Sequence, residues 1–151
     1  MIFVSHSPKD TQELAGKAAT FKIPQCRGRI FALAGDLGSG KTAFAQAFIK
    51  ALGIEGRITS PTFLIVKSYP VPKLLRWHGA SKFKKVYHID CYRIHKPADL
   101  IKLGFREIIS NPENIVLIEW ADRIKKIIPK DAVWLYFEHG QKENERIIIK
   151  K

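Results

Sequence analysis

The sequence predicts an α/β fold with a mostly parallel central sheet, antiparallel additions near its end and flanking helices. Three observations carry this. Strand-like and helix-like stretches alternate through much of the 151 residues, the pattern of parallel strands joined by helical crossovers. The apolar run "RIFALA" (29–34) halts at a glycine-rich turn and gives way to the Ala/Phe-rich "KTAFAQAFIKAL" (41–52). Near the end, "VWLYFEH" and "ERIIIK" flank "GQKEN" and read as a closing hairpin.

Taken in order, "SPKDTQELAGKAATF" opens with an N-cap at Ser7, Pro8 at the first helical position and Asp10 three residues after the cap. Leu14, Ala15, Ala18 and Phe21 then recur at helical spacing, predicting a first helix. "RIFALA" suits a buried strand. Good helix formers run from Lys41 to Leu52, and Gly53 is a natural stop. "TFLIVKSY" (62–69) and "KVYHIDCY" (85–92) are rich in β-branched and aromatic residues and predict strands. Between them, "PVPKLLRWHGASKFKK" reads as an exposed basic excursion. "PADLIKLGFREIIS" predicts a helix, or two short ones broken near Gly104, and "NIVLIEW" a buried strand. With no repeat, low-complexity tract or linker, residues 1–151 are expected to form one domain.

Composition excludes several classes. The 46% hydrophobic and 26% charged content is that of a globular chain, not a disordered one. Cys26 and Cys91 stand far apart in no metal-ligand spacing, which predicts reduced thiols. "MIFVSHSPKD" has neither a basic leader nor a long apolar core, and no run has bilayer-spanning length. A soluble, cytoplasmic protein without a membrane partner is expected. Charge is the oddity: 26 Lys and Arg against 14 Asp and Glu give a formal net charge of +12. Such an excess favours polyanionic neighbours, including RNA and nucleotides. Its local concentrations are 82–85, 123–126 and 150–151, and a solvated lysine-rich surface explains it equally well.

The glycine turn explains itself through "GDLGSGKT". Gly35, four intervening residues, Gly40, Lys41 and Thr42 fit the phosphate-binding loop, or P-loop. Glycines permit left-handed backbone angles and let a phosphate approach the amides. Consecutive N–H groups converge on the β-phosphate, aided by the positive end of the following helix. Lys41 supplies a charged donor to the β- and γ-phosphates, and Thr42 a hydroxyl oxygen for magnesium. The bland alternative is a flexible turn before a helix; strand before and helix after favour the cradle.

A phosphate loop needs a carboxylate for its metal. Glu119 ends the apolar strand "IVLIE", and carboxyl ends of parallel strands line the ligand crevice. Asp90 also ends a strand-like run, in "YHIDCYR". It is a candidate for holding a water on the metal or orienting the attacking water. Its structural alternative is to cap a turn or pair with Arg93.

"GDLGSGKT", "SPTF", "YHIDCYR" and "LIEW", in that order in so short a chain, resemble the TsaE (YjeE) family, over nearly the whole length. The resemblance implies a P-loop α/β domain, ATP with Mg2+, and a part in synthesis of tRNA threonylcarbamoyladenosine. It also implies association with the TsaB–TsaD heterodimer, in which TsaD modifies the adenosine beside the anticodon and ATP hydrolysis resets the assembly. By the same resemblance Leu37, Gly38, Ser39, Gly40, Lys41 and Thr42 wrap the phosphates, with Thr42 and Glu119 serving magnesium. Thr62 of "SPTF" senses the γ-phosphate, and Asp90 is the catalytic acid of a pattern formed by His88, Asp90, Tyr92 and Arg93. Trp120 lies over the site or at the partner surface, while Thr11 and the region of Glu145 meet the nucleotide base. Two departures stand out: a longer, more basic excursion at 68–85, and "EWADRIKKIIP" where the family often has "EWPE…G".

The expected activity is therefore Mg-dependent ATP hydrolysis stimulated by a partner, with Lys41, Asp90 and Glu119 catalytic. A small-molecule kinase would use the same cradle but needs an acceptor pocket and usually an arginine-bearing lid, for which "RWHGASKFKK" is a weak candidate. A basic RNA-binding module with nucleotide as a structural ligand is the other alternative. Direct contact of tRNA with the basic surface is compatible with the first reading and the third.

Overall fold

The computed structural model describes residues 1–20, 29–72 and 83–151. Strand β1 (Ile2–Ser5) leads into helix α1 (Pro8–Ala19), followed by β2 (Ile30–Gly35) and α2 (Lys41–Ala51). Next come β3 (Val66–Pro70), β4 (Lys85–Asp90), α3 (Pro97–Lys102), α4 (Phe105–Ser110) and β5 (Asn114–Glu119). A 3-10 segment (Ala121–Ile127), β6 (Val133–His139) and β7 (Arg146–Lys150) complete the chain. The strands form one seven-stranded mixed sheet in the order β1-β7-β6-β2-β5-β4-β3.

Its centre is parallel. β2 pairs with both β5 and β6, and β4 with β5, all in parallel register. Antiparallel strands close both margins: β3 on β4, β7 on β6 and β1 on β7. β2 lies between β5 on one side and β6 on the other, and ligands of open α/β sheets sit in the crevice outside the carboxyl ends of such strands. β2 and β5 are buried almost throughout, as two-sided burial of parallel strands demands.

Helices α1 and α2 cover one face. Leu14, Ala15 and Ala18 of α1 and Phe44, Phe48 and Ile49 of α2 join Phe31, Leu33, Leu117, Leu135 and Phe137 in the first core. Phe48 meets Phe31 edge-on at 4.8 Å, and Phe44 meets Phe137 at 5.5 Å, geometries that align ring edges with ring faces. α3, α4 and the 3-10 segment cover the other face through Leu100, Phe105 and Ile124 against Ile89, Val116 and Ile118. Among the described residues no helix is long and apolar enough to cross a membrane.

The start of α1 forms as its sequence demands. Ser7 caps it by accepting from Asp10 N at 3.2 Å, and Asp10 Oδ2 accepts in return from His6 N at 2.8 Å. Gly104 separates α3 from α4 with φ of 82°. Phe21, Cys26 and Lys82 lie outside the described residues, as does 73–82 of the basic excursion. Cys91 is a free, buried thiol, its pKa pushed up to about 12 chiefly by burial.

Three segments depart from the sequence reading. The expected strand at 62–69 begins only at Val66. Before it, Pro61 O accepts from Leu64 N and Ile65 N, and the chain turns through Ile65 at φ of 64°. β1 was not anticipated, nor was the 3-10 segment.

Candidate functional site

The loop from Gly35 to Thr42 joins the end of β2 to the start of α2, and its three glycines all have positive φ: 140° at Gly35, 73° at Gly38 and 102° at Gly40. Gly35 is also crowded, since a Cβ there would lie 2.1 Å from Phe137 O on the neighbouring strand. The sequence therefore needs glycine for conformation and for space. Leu37, at the tip, is largely exposed, and its carbonyl meets His139 Nε2 at 3.1 Å. Ser39 is fully buried beneath the turn.

Lys41 folds back over its own loop. Its ammonium donates to Gly35 O at 2.7 Å, Asp36 O at 2.6 Å and Ser39 Oγ at 3.3 Å, and sits 4.1 Å from the centre of the Trp120 ring. Burial depresses its pKa, and Glu119, Asp122, Asp36 and Asp90 oppose that depression electrostatically. Trp120 holds this position with φ of 56°, meets the Tyr92 ring at a tilt of 51° and 5.1 Å between centres, and lies beneath Arg123.

Thr42 and Glu119 meet directly. Thr42 Oγ1 donates to Glu119 Oε2 at 2.6 Å, and the other carboxylate oxygen, Oε1, is 2.7 Å from His88 Nε2. Glu119 and His88 are almost wholly buried. A hydroxyl and a carboxylate are hard oxygen donors, the ligand type that Mg2+ selects. Among the described residues no three acidic, His or Cys side chains gather into a cage. Mg2+ is commonly held by one or two protein oxygens together with a ligand's phosphates. The residues present fit magnesium.

Asp90 joins the "SPTF" segment to the site. Its Oδ2 accepts from Thr62 Oγ1 at 2.7 Å and Ser60 Oγ at 3.3 Å, while Ser60 and Thr62 bond each other at 2.7 Å. Oδ1 accepts from Tyr92 N at 2.9 Å, so Asp90 also caps the turn that follows β4. Arg93 lies over the exposed Phe63 ring rather than on Asp90.

Thr11 and Glu145 lie beyond the other side of the glycine loop. Thr11 Oγ1 shares a hydrogen bond with Ser5 Oγ at 2.8 Å and lines a cleft of about 210 Å³ with Ser7, Pro8, Gly38, Gly40, Asn144 and Arg146. Glu145 sits in the β6–β7 turn, where its carboxylate faces His6 Nδ1 at 3.3 Å and accepts from Gln141 N at 3.0 Å. The structure thus gathers Lys41, Thr42, Asp90, Glu119 and Trp120 at the carboxyl end of the parallel strands, with Thr62 joined through Asp90. Thr11 and Glu145 fall toward the β7 side.

Three contributors had no role of their own in the sequence: His88 and Ser60 stood only as members of motifs, and Arg146 was not singled out. Arg146 Nε donates to Gly38 O at 3.2 Å, bracing the glycine loop from β7. The alternation of β4 could have flagged His88, because it shares a face with Asp90 two residues on. The basic clusters prove dispersed. Lys84 pairs with Glu113 at 2.7 Å, while Lys125 and Lys151 lie over Trp134 and Tyr136.

Comparison with known proteins agrees with this architecture. A family model described as "Threonylcarbamoyl adenosine biosynthesis protein TsaE" matches residues 5–148. The protein named tRNA threonylcarbamoyladenosine biosynthesis protein TsaE in Bacillus subtilis is 32% identical over 140 residues, 92% of this chain and 78% of that one. Its namesake in Borreliella burgdorferi is 34% identical over 126 residues, 83% of this chain and 84% of the relative. That of Rickettsia prowazekii is 36% identical over 124 residues, 82% and 76% respectively. The crystal structure of Bacillus subtilis YdiB matches with a TM-score of 0.73 at 29% identity, covering 99% of this chain and 83% of that one. A glycine cradle ahead of α2, a carboxylate ending β5 and a family match over almost the full length lead to one conclusion: the chain belongs to the TsaE family.

Proposed function

We propose that this protein binds ATP with Mg2+ at the 35–42 loop and hydrolyses it in support of tRNA threonylcarbamoyladenosine synthesis, acting with a TsaB–TsaD heterodimer. The observation that carries the reading is the direct Thr42–Glu119 bond, which sets a hydroxyl and a carboxylate together where the phosphate loop enters α2. The positive end of α2 and the amides of Gly38, Ser39 and Gly40 offer donors to a phosphate. Lys41 exchanges the carbonyls of Gly35 and Asp36 for phosphate oxygens, and the charge it gains as partner favours its protonated form. Magnesium, when bound, supplies positive charge that offsets the charge spread over the transferring phosphoryl group. Asp90, held by Thr62 and Ser60, would orient the attacking water or serve as an outer-sphere partner of the ion. A γ-phosphate competing for Thr62 changes the 60–65 segment and with it the exposed Phe63 and Leu64 offered to a partner.

The reading expects slow turnover by the isolated chain and faster turnover when the heterodimer completes the site. The deciding experiment uses γ-labelled ATP, with and without the partners recovered from the native cell. Release of free phosphate that rises on adding the heterodimer supports the reading. Transfer of label to a small acceptor would favour a kinase instead, and no binding of ATP would overturn both.

A further inference from the structure

We infer that His88 is the residue that positions the Glu119 carboxylate, donating its Nε2–H to Oε1 so that Oε2 alone is left to exchange between Thr42 and a metal ion. This deepens the proposed MgATP reading and rests on it. Nε2 lies 2.7 Å from Oε1 with His88 0% and Glu119 1% exposed, so no solvent competes for either group. An ionised carboxylate only accepts, which puts the shared proton on the imidazole. The second ring nitrogen points the same way. Nδ1 is buried with no hydrogen-bond partner among the described residues. A proton there would be a buried donor with no described residue to receive it, whereas a bare lone pair is the less costly orphan. The tautomer and the direction of the bond are thereby assigned together.

The strand pairing makes this arrangement selective. His88 and Asp90 project from the same face of β4, and Asp90 pairs with Glu119 across the parallel ladder. One strand therefore carries both the acid that holds Thr62 and the imidazole that holds Glu119. The oxygen of Glu119 that faces the phosphate loop is held by Thr42, a partner that can rotate its hydroxyl away. The opposite oxygen is held by a ring locked in the sheet. Loss of the ring frees the carboxylate to turn without altering any donor of the glycine loop, so it should weaken magnesium and spare the nucleotide. Outer-shell partners of metal-binding carboxylates act in this way.

The test has two arms. In the apo protein, ring-nitrogen NMR of His88 is expected to show the proton on Nε2; finding it on Nδ1 alone overturns the assignment. In the second arm, ADP affinity is measured in excess magnesium and in EDTA for wild type, His88→Leu and His88→Gln. His88→Leu is expected to lose about ten- to a hundred-fold of the magnesium-linked gain with little change in EDTA. His88→Gln, whose amide N–H reaches the Nε2 position, is expected to restore most of it. An undiminished magnesium-linked gain in His88→Leu overturns the inference, as does an equal loss with and without the metal. Should wild type itself bind ADP without any magnesium dependence, the MgATP reading fails, and the NMR arm still decides the His88–Glu119 bond. Should His88→Leu fail to fold, the tautomer and the Gln variant decide.

Discussion

Asp90 and Glu119 are register partners at the carboxyl ends of adjacent parallel strands, and Cys91 N ties the two ends together by donating to Glu119 O at 3.0 Å. Each carboxylate is engaged by a different part of the chain, Asp90 by the 60–62 segment and Glu119 by α2 and β4. Two acids held on one sheet edge but tied to separate elements can serve different roles at one ligand.

Glu119→Gln separates those roles. The amide keeps the size of the side chain and can still meet Thr42 and His88, but it loses the charge that a divalent cation requires. ATP hydrolysis is expected to fall by about 10²-fold or more, with ADP affinity in EDTA nearly unchanged. Phosphate-release assays and calorimetry read the two quantities. Unchanged hydrolysis would remove Glu119 from the metal site.

Lys41 ties the proposed phosphate site to pH. Lys41→Ala is expected to weaken ATP by about ten- to a hundred-fold, or ~1.5–3 kcal/mol, measured by calorimetry. In the free protein, burial holds its pKa below the ordinary 10.5. Between that lowered value and 10.5 the unfolded chain binds a proton that the folded chain lacks, so stability from this group rises with pH. Below the lowered value both states are protonated and the slope vanishes. Urea titrations of wild type against Lys41→Met should therefore shift in favour of wild type as the pH climbs toward 10.5. A constant difference across that range contradicts the buried, charge-disfavouring setting.

The parts readable from sequence are those whose signals are local. β2, α2 and β5 carry unbroken apolar runs or helical periodicity, and the glycine loop has its own spacing. β1 has four residues and becomes a strand only by pairing with β7, as in Ile2 with Ile149, a partner no local pattern reveals. "TFLI" has strand propensity, but the Pro61 carbonyl draws Leu64 and Ile65 into a turn instead. At the site, Glu119 and Asp90 were visible as acids ending apolar runs. His88 stood in a motif without a role and Arg146 in none, because what they do follows from strand register and from contacts 31 and 108 residues apart in sequence.

Asp90→Ala tests the tie between the 60–65 segment and the sheet. Thr62 and Ser60 lose their acceptor, and Tyr92 N loses its cap. Hydrogen exchange in 60–65 is expected to accelerate in the free protein, and the difference between ATP- and ADP-bound states to shrink. Equal protection of this segment by ATP and ADP in wild type would end the switch reading.

Gly35→Ala and Gly56→Ala separate crowding from backbone strain. Both positions have positive φ, 140° and 91°, but a Cβ at Gly35 meets Phe137 O at 2.1 Å while one at Gly56 meets nothing within 4 Å. Gly56→Ala is expected to cost about 1–2 kcal/mol, the strain of a left-handed residue. Gly35→Ala must also push β2 from β6 at a paired position, and is expected to exceed about 3 kcal/mol. Urea denaturation compares them, and equal costs would mean that the β2–β6 contact yields freely.

Arg146 is predicted to stiffen the phosphate loop from outside. Its Nε donates to Gly38 O, and Nη1 donates to Glu143 O at 2.7 Å and Glu145 O at 2.8 Å. One guanidinium thus ties the β6–β7 turn to the tip of the glycine loop, along the cleft shared with Thr11. Arg146→Ala removes the tie while leaving Lys41, Thr42 and Glu119 in place. Because the carbonyls it releases are near solvent, stability should change by no more than about 1 kcal/mol. Ordering the loop must then be done by the ligand, and nucleotide affinity is expected to drop about tenfold whether magnesium is present or not. That insensitivity to the metal sets it apart from Glu119→Gln. A loss confined to the magnesium-bound form would place Arg146 with the metal site instead of the loop.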